Sequence, residues 1–174
     1  MEQIEIKRIT PHDVTALQNI AIQTFQETFS ASNTEADMQQ YLKDNFTIEK
    51  LTIALEEKNA RFYFALLNET VLGYLKINTG AAQTELKKEH SLEIERIYVL
   101  KDFQGKRVGQ LLYDKALEIA REEKVDYVWL GVWEENMRAL HFYKKNGFVA
   151  FDQHIFKLGD DDQIDIMMKL PLKG

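Results

Sequence analysis

The chain has 174 residues, 45% of them hydrophobic, and a formal net charge of −6; this suits one globular domain with a full core and argues against general nucleic-acid binding, which needs a basic face. It contains no cysteine, which excludes a disulfide framework, a thiolate metal site and a Cys nucleophile, and its four scattered histidines, His12, His90, His141 and His154, lack ligand spacing. No apolar run approaches the ~20 residues that span a bilayer, and "MEQIEIKRIT" has no signal-peptide core, so a cytoplasmic, metal-free protein with no membrane partner is expected.

"QIEIKRIT" alternates and predicts a first strand. Pro11 then opens a helix with Val14, Leu17, Ile20, Ala21, Phe25 and Phe29 at helical spacing. Thr34 through Glu57 reads as one or two further helices interrupted near Asn45-Phe46-Thr47. "RFYFALLN" and "TVLGYLKIN" form a hairpin that turns at Asn68-Glu69. A polar loop, "TGAAQTELKKEHS", leads to the strand "LEIERIYV", and a helix runs from Arg107 to about Glu123. "VDYVWLGVW" is a buried strand with apolar residues on both faces. "NMRALHFYKKNG" is a short helix, Asn136 at its N-cap and Gly147 past its end. Two strands, "FVAFDQHIFKL" and "QIDIMMKLPL", close the chain around the acidic turn Gly159-Asp160-Asp161-Asp162. The order, roughly β-α-α-β-β-β-α-β-α-β-β, predicts one α/β domain over 1–174 with a mixed sheet and a parallel β-α-β unit from Leu92 to Trp133.

Within that unit a strand gives way to Gln104-Gly105-Lys106-Arg107-Val108-Gly109, just where a helix begins. The first turn of a helix has unpaired N–H groups and about half a positive charge, and a glycine turn lets ligand oxygens approach the backbone. The stretch reads either as a pyrophosphate cradle or as a basic, solvated helix start. Neither Gly-Lys-Ser/Thr nor Gly-x-Gly-x-x-Gly is present, so a P-loop and a dinucleotide fold are unsupported.

The pattern resembles the acetyl-CoA motif of the GNAT (Gcn5-related) N-acetyltransferases, Gln/Arg-x-x-Gly-x-Gly/Ala after a strand. Gln104 and Gly109 match its ends. Arg107 stands at its middle glycine, a departure that an arginine fits if the local φ is negative and its side chain points at phosphate. "WEENMRALHFYKKNGF" is similar to the second motif of the family through Asn136, Ala139, Phe142, Tyr143, Gly147 and Phe148. "DMQQYLKDNF", "LEIERIYV", "WLGVWEEN" and "HIFKLGDDDQIDIMMK" resemble the PaiA-type branch of bacterial spermidine/spermine acetyltransferases. The resemblance implies a GNAT fold, a mostly antiparallel twisted sheet around the central parallel unit, with acetyl-CoA as co-substrate and no metal.

The same resemblance implies roles. Ile97, Tyr98 and Val99 would offer backbone groups to the pantetheine arm. Gln104, Gly105, Lys106, Arg107, Val108, Gly109 and Gln110 would hold the pyrophosphate. Asn136 would meet pantetheine or act as a plain N-cap, Ala139 belongs to the same motif, and Lys145 would reach a phosphate or solvent. Tyr143 would protonate the leaving thiolate, unless it is simply an aromatic core residue. A base is wanted because a primary amine of pKa ~10.4 is neutral in only about one molecule in a thousand near pH 7.5, a deficit on the order of 4 kcal/mol. Glu93 and Glu95, two apart on a strand and so on one face unless a bulge intervenes, are the candidates. The alternative for either is a salt bridge to Arg96 or Lys76. Phe25, Phe29, Met38, Tyr41 and Trp133 could wall a channel for a methylene chain, with His154 nearby, and Glu27, Asp37, Glu134 and Asp152 could meet distant ammonium groups. The implied acceptor is a small-molecule amine, most simply a polyamine, and the chain could form a homodimer. The alternatives are acetylation of a protein or an aminoglycoside, and an acetyl-CoA-binding regulatory module with little turnover.

Overall fold

The computed structural model describes residues 3–87, 89–159 and 161–172. Strand β1 (Ile4–Arg8) leads into helices α1 (Val14–Phe29), α2 (Glu35–Asn45) and α3 (Ile48–Glu56). Strands β2 (Ala60–Leu67), β3 (Thr70–Thr79) and β4 (Ser91–Val99) follow, then α4 (Val108–Glu122), β5 (Tyr127–Trp133), α5 (Met137–Lys145), β6 (Val149–Leu158) and β7 (Asp161–Pro171). Three helices therefore separate the first two strands. The break at Asn45–Thr47 is decided by two threonine caps: Thr34 Oγ1 accepts from Asp37 N–H at 3.1 Å and Thr47 Oγ1 from Lys50 N–H at 3.2 Å. Pro11 opens only a short 3-10 turn, and α1 proper starts at Val14. The acidic turn is tighter than expected, because Asp161 and Asp162 already pair with Leu158 and Lys157; Asp160 lies outside the described residues.

The strands form one sheet in the order β1-β2-β3-β4-β5-β7-β6. Every neighbouring pair is antiparallel except β4 and β5, which are parallel around α4. Each face has its own core. On one side α4 buries Leu112, Ala116, Ile119 and Ala120 against Leu75, Ile77, Leu92, Ile94, Val128 and Leu130. On the other, α1–α3 lay Leu17, Ile20, Phe25, Leu42 and Leu51 against Phe62, Phe64 and Tyr74. Strand β5 is buried on both faces, as its uninterrupted apolar run predicts. No helix among the described residues is long and apolar enough to cross a membrane.

Candidate active site

Two irregularities in β4 create the site. The register against β3 slips between Lys76 and Ile77, so that Arg96 faces Lys76, Ile94 faces Ile77, and Glu95 is the extra residue of a bulge. Alternation is thereby reset. Leu92 and Ile94 join the α4-side core, and so do Ile97 and Val99 beyond the bulge. Glu93, Glu95, Arg96 and Tyr98 accordingly gather on the α1–α3 side, where the Arg96 guanidinium lies 4.9 Å from the Phe46 ring. The second irregularity is a splay. Pairing of β4 with β5 ends at Ile94 and Leu130, after which β4 continues with β3 to Val99 and β5 continues with β7 to Trp133. A wedge opens between the two strands, and its edges carry backbone groups that no sheet neighbour uses on that side.

On the α4 side the wedge widens into a cleft of about 580 Å³. Most of the residues expected to bind the co-substrate line it: Ile97, Tyr98, Val99, Gln104, Gly105, Arg107, Gly109 and Gln110 from the strand and turn, and Asn136, Ala139, Tyr143 and Lys145 from α5 and its cap. Two do not. The Val108 side chain is buried in the core, and Lys106 holds its ammonium 5.5 Å from the Phe103 ring. Leu111 N–H donates to Arg107 C=O at 3.1 Å, which leaves the N–H groups of Val108, Gly109 and Gln110 ahead of the helical ladder. Gly105 has φ +79° and Arg107 has φ +69°. The condition of a negative φ at Arg107 is not met: the backbone keeps the left-handed form a glycine would adopt, and the arginine bears a cost of about 1–2 kcal/mol. Gln104 Nε2 donates to Val99 C=O at 3.3 Å and so ties the turn to the splayed strand. Arg138, which the motif did not single out, lines the cleft with its guanidinium 3.6 Å from where a Cβ on Gly105 would lie. Open amides with Arg107, Arg138 and Lys145 suit an elongated, phosphorylated ligand.

On the α1–α3 side lies a more enclosed cavity of about 260 Å³. Phe25, Phe29, Tyr41, Trp133 and His154 all line it. Phe25 stacks on Tyr41 at 4.4 Å, Phe29 packs on Trp133 at 4.8 Å, and Trp133 Nε1 donates to Gln163 Oε1 at 2.7 Å. These rings are core and wall together, so the two readings of them are not exclusive. Met38 stays in the core. Glu27, Asp37, Glu134 and Asp152 lie away from the lining, and Glu27 instead accepts from Lys101 N–H at 2.9 Å. The carboxylate present at that end is Asp165 of β7, 3.8 Å from His154 Nε2, while Glu85 lies 3.2 Å from His154 Nδ1. Gly131 lies beside them: a Cβ there would meet Asp165 Oδ2 at 3.4 Å and His154 Cε1 at 3.6 Å, ordinary contact distances. Asp165, Glu85, Asn78 and Thr84 escape a sequence reading because only the fold joins residues so far apart in the chain.

The two cavities meet at Ile97, Tyr98, Asn136, Ala139 and Tyr143, which line both. Asn136 Oδ1 accepts from Ala139 N–H at 3.2 Å, so it is an N-cap and a wall residue at once. Tyr143 is buried, and desolvation pushes its phenol well above the ordinary tyrosine range, which keeps it protonated at any working pH. Glu93 and Glu95 share a face but not an environment. Glu95 is 2.8 Å from Lys76 Nζ and 3.5 Å from Arg96 Nε. Burial opposes its ionisation, but the two cations together hold its carboxyl below the usual range. Glu93 is 3% exposed, and desolvation raises its carboxyl despite hydrogen bonds from Thr84 and Asn78. The salt-bridge reading is thus realised at Glu95, whereas Glu93 is met by the neutral donors Thr84 and Asn78.

Known proteins resemble the chain along its whole length. An uncharacterized N-acetyltransferase of the pepI 3′ region of Lactobacillus delbrueckii subsp. lactis is 37% identical over 172 residues, covering 99% of both chains. The spermidine N(1)-acetyltransferase of Thermoplasma acidophilum is 24% identical over 170 residues, covering 95% of this chain and 96% of its own. The crystal structure of the PaiA N-acetyltransferase from T. acidophilum in complex with coenzyme A superposes with a TM-score of 0.81 at 21% identity, over 98% of this chain and 99% of that one. The sequence pattern of the Acetyltransferase (GNAT) family matches residues 15–148. A match of that extent, on a fold whose central strands part where an acyl donor must enter, makes this chain a member of the GNAT family and an acetyl-CoA-dependent N-acetyltransferase.

Proposed function

We propose that the acceptor is a polyamine of the spermidine/spermine class, acetylated on a primary amine, with Glu93 as general base and Tyr143 as general acid. The observation that carries this reading is the pairing, in one aromatic-walled cavity, of the buried Glu93 carboxyl, whose proton affinity is raised, with a second carboxyl, Asp165, beside His154. Bound acetyl-CoA supplies the activated acyl group as a thioester. The free backbone edge of Ile97–Val99 would hold its pantetheine arm. The amides from Gly105 to Gln110, with Arg107, Arg138 and Lys145, would hold its phosphates.

On the acceptor side an ammonium enters protonated and must lose a proton before it can attack, at a cost on the order of 4 kcal/mol near neutral pH. Glu93, directly or through one water, takes that proton. The phenol of Tyr143, at the junction of the two cavities, gives a proton to the departing thiolate. Asp165, beside His154, meets a second ammonium, while Phe25, Phe29, Tyr41 and Trp133 cover the methylenes. The similarity to a spermidine acetyltransferase over nearly the full chain favours the same class.

Thiol release from acetyl-CoA at about pH 8, with spermidine, spermine, a lysine peptide and an aminoglycoside as parallel acceptors, tests the proposal. Turnover with the linear polyamines and not with the others is expected. Turnover confined to the peptide or the aminoglycoside would replace the substrate class and leave the family untouched. Tight coenzyme A binding with no release over the panel would favour a regulatory module.

A further inference from the structure

Asn78 pairs with Glu93 across β3 and β4 and is 1% exposed. Its single NH₂ group commits both hydrogens to carboxylates, at 3.0 Å to Glu93 Oε1 and 2.8 Å to Glu95 Oε1. Its Oδ1 is buried and has no hydrogen-bond partner among the described residues. Flipping the amide would turn that oxygen toward two carboxylates, so charge fixes the orientation. A buried acceptor without a partner is unfavourable, and an apolar side chain of similar size would fill the space without one. What distinguishes asparagine here is the pair of N–H groups.

The remaining partners of the two glutamates differ in kind. Glu95 contacts two cations, Lys76 and Arg96. Glu93 receives only neutral donors: Thr84 N–H at 2.8 Å, Thr84 Oγ1 at 2.6 Å and Asn78. Thr84 is itself held in place, since the neighbouring Gln83 Oε1 accepts from Ser91 Oγ at 2.8 Å and from Trp129 Nε1 at 2.7 Å. A cation against Glu93 would quench its basicity, whereas neutral donors orient it at smaller cost.

We propose that Asn78 is a positioning residue for the deprotonating glutamate: with an uncharged donor it fixes Glu93 at the wedge while tying Glu95 to the Lys76–Arg96 pair. The inference rests on Glu93 being the base. The charged and titratable groups that face this cluster are Glu95, Arg96 and Tyr98 on its own strand, Lys76 and Tyr74 on β3, Tyr41 on α2, Tyr143 on α5, His154 on β6 and Asp165 on β7.

The test is the pH dependence of kcat/KM for the fastest panel amine in wild type, Asn78→Leu, Asn78→Asp and Glu93→Gln, with folding checked by circular dichroism. Losing a donor to a carboxylate raises its pKa, so Asn78→Leu should lose about tenfold more activity near pH 6 than near pH 9. Asn78→Asp keeps the shape and adds a like charge, so it should move the acid limb the same way and serves where the leucine variant does not fold. A loss equal at all pH values in both variants would reduce Asn78 to a structural role and overturn the proposal. If Glu93→Gln keeps the acid limb, Glu93 is not the base and both readings fall. If Glu93→Gln abolishes the limb while the Asn78 variants leave it in place, only the role of Asn78 is lost.

Discussion

The two cavities that meet at Tyr143 are built from opposite materials. The cleft on the α4 side is assembled largely from backbone, open amides on a short turn with three cations at its rim, and it is the larger space at about 580 Å³. The cavity on the α1–α3 side, about 260 Å³, is assembled largely from side chains of α1, α2, α5 and five strands, and its chemistry comes from burial. The first offers a charged ligand unspent N–H groups, which almost any side chain leaves in place. The second sets proton affinities by desolvation and by the choice of neutral or charged neighbours, which single substitutions destroy. Damage on one side should appear in turnover and its pH profile, and damage on the other in affinity for acetyl-CoA.

The sharpest contrast is expected at Glu93. Glu93→Gln should lower kcat/KM by about 10²- to 10⁴-fold with affinity for acetyl-CoA unchanged. Because burial raises the Glu93 carboxyl, the base is lost as pH falls through a value above the ordinary glutamate range, and that acid limb should vanish in the variant. Glu95→Gln should keep the limb, since Glu95 is held ionised by Lys76 and Arg96 well below that window. A limb that follows Glu95 instead would invert the assignment. Next in size, Tyr143→Phe should cost roughly 100-fold in kcat, measured at saturating acetyl-CoA, while titration calorimetry gives an unchanged dissociation constant. Its raised pKa means that no basic limb below the ordinary tyrosine range belongs to it.

The same contrast explains what could be read from the sequence. Element order, the parallel unit and the phosphate turn were legible because glycines, caps and periodicity are local signals: Gln104–Gly109 and Asn136–Gly147 each carry their chemistry within a dozen residues. The acceptor cavity was half legible. Its aromatics follow from a family resemblance, but Glu27, Asp37, Glu134 and Asp152 lie elsewhere, and Asp165 of β7 lines it beside His154. No local rule brings residues 78, 84, 85, 96 and 165 together. The bulge at Glu95 was also invisible, yet without it Arg96 and Tyr98 could not share a face with Glu93.

Gly73 lets the comparison be broken from outside either cavity. A Cβ there would lie 2.4 Å from the Tyr98 carbonyl oxygen and 3.1 Å from Val99 Cα, both backbone atoms of the splayed strand. Gly73→Ala should therefore push β4 and destabilise the fold by about 1–3 kcal/mol. It should impair turnover and acetyl-CoA affinity together, since Tyr98 borders both spaces. Thermal denaturation beside steady-state kinetics measures it. A stable variant with normal kinetics would mean that the strand yields without disturbing the wedge.

The smallest effect is the most informative about the phosphate turn, because Arg107 combines a strained backbone with a useful charge. Arg107→Gly and Arg107→Ala both remove the guanidinium from the rim and should weaken acetyl-CoA binding about two- to fivefold, the scale of one exposed ion pair. They part over the backbone. At φ +69° alanine keeps the left-handed penalty and glycine does not, so the glycine variant should be more stable than the alanine one by about 1 kcal/mol. If binding is unchanged in both while the stability difference persists, the guanidinium is solvated and the open amides alone hold the phosphates. If binding falls equally in both, the side chain is the contributor, and its strained position is the cost of placing a cation where the motif otherwise has glycine.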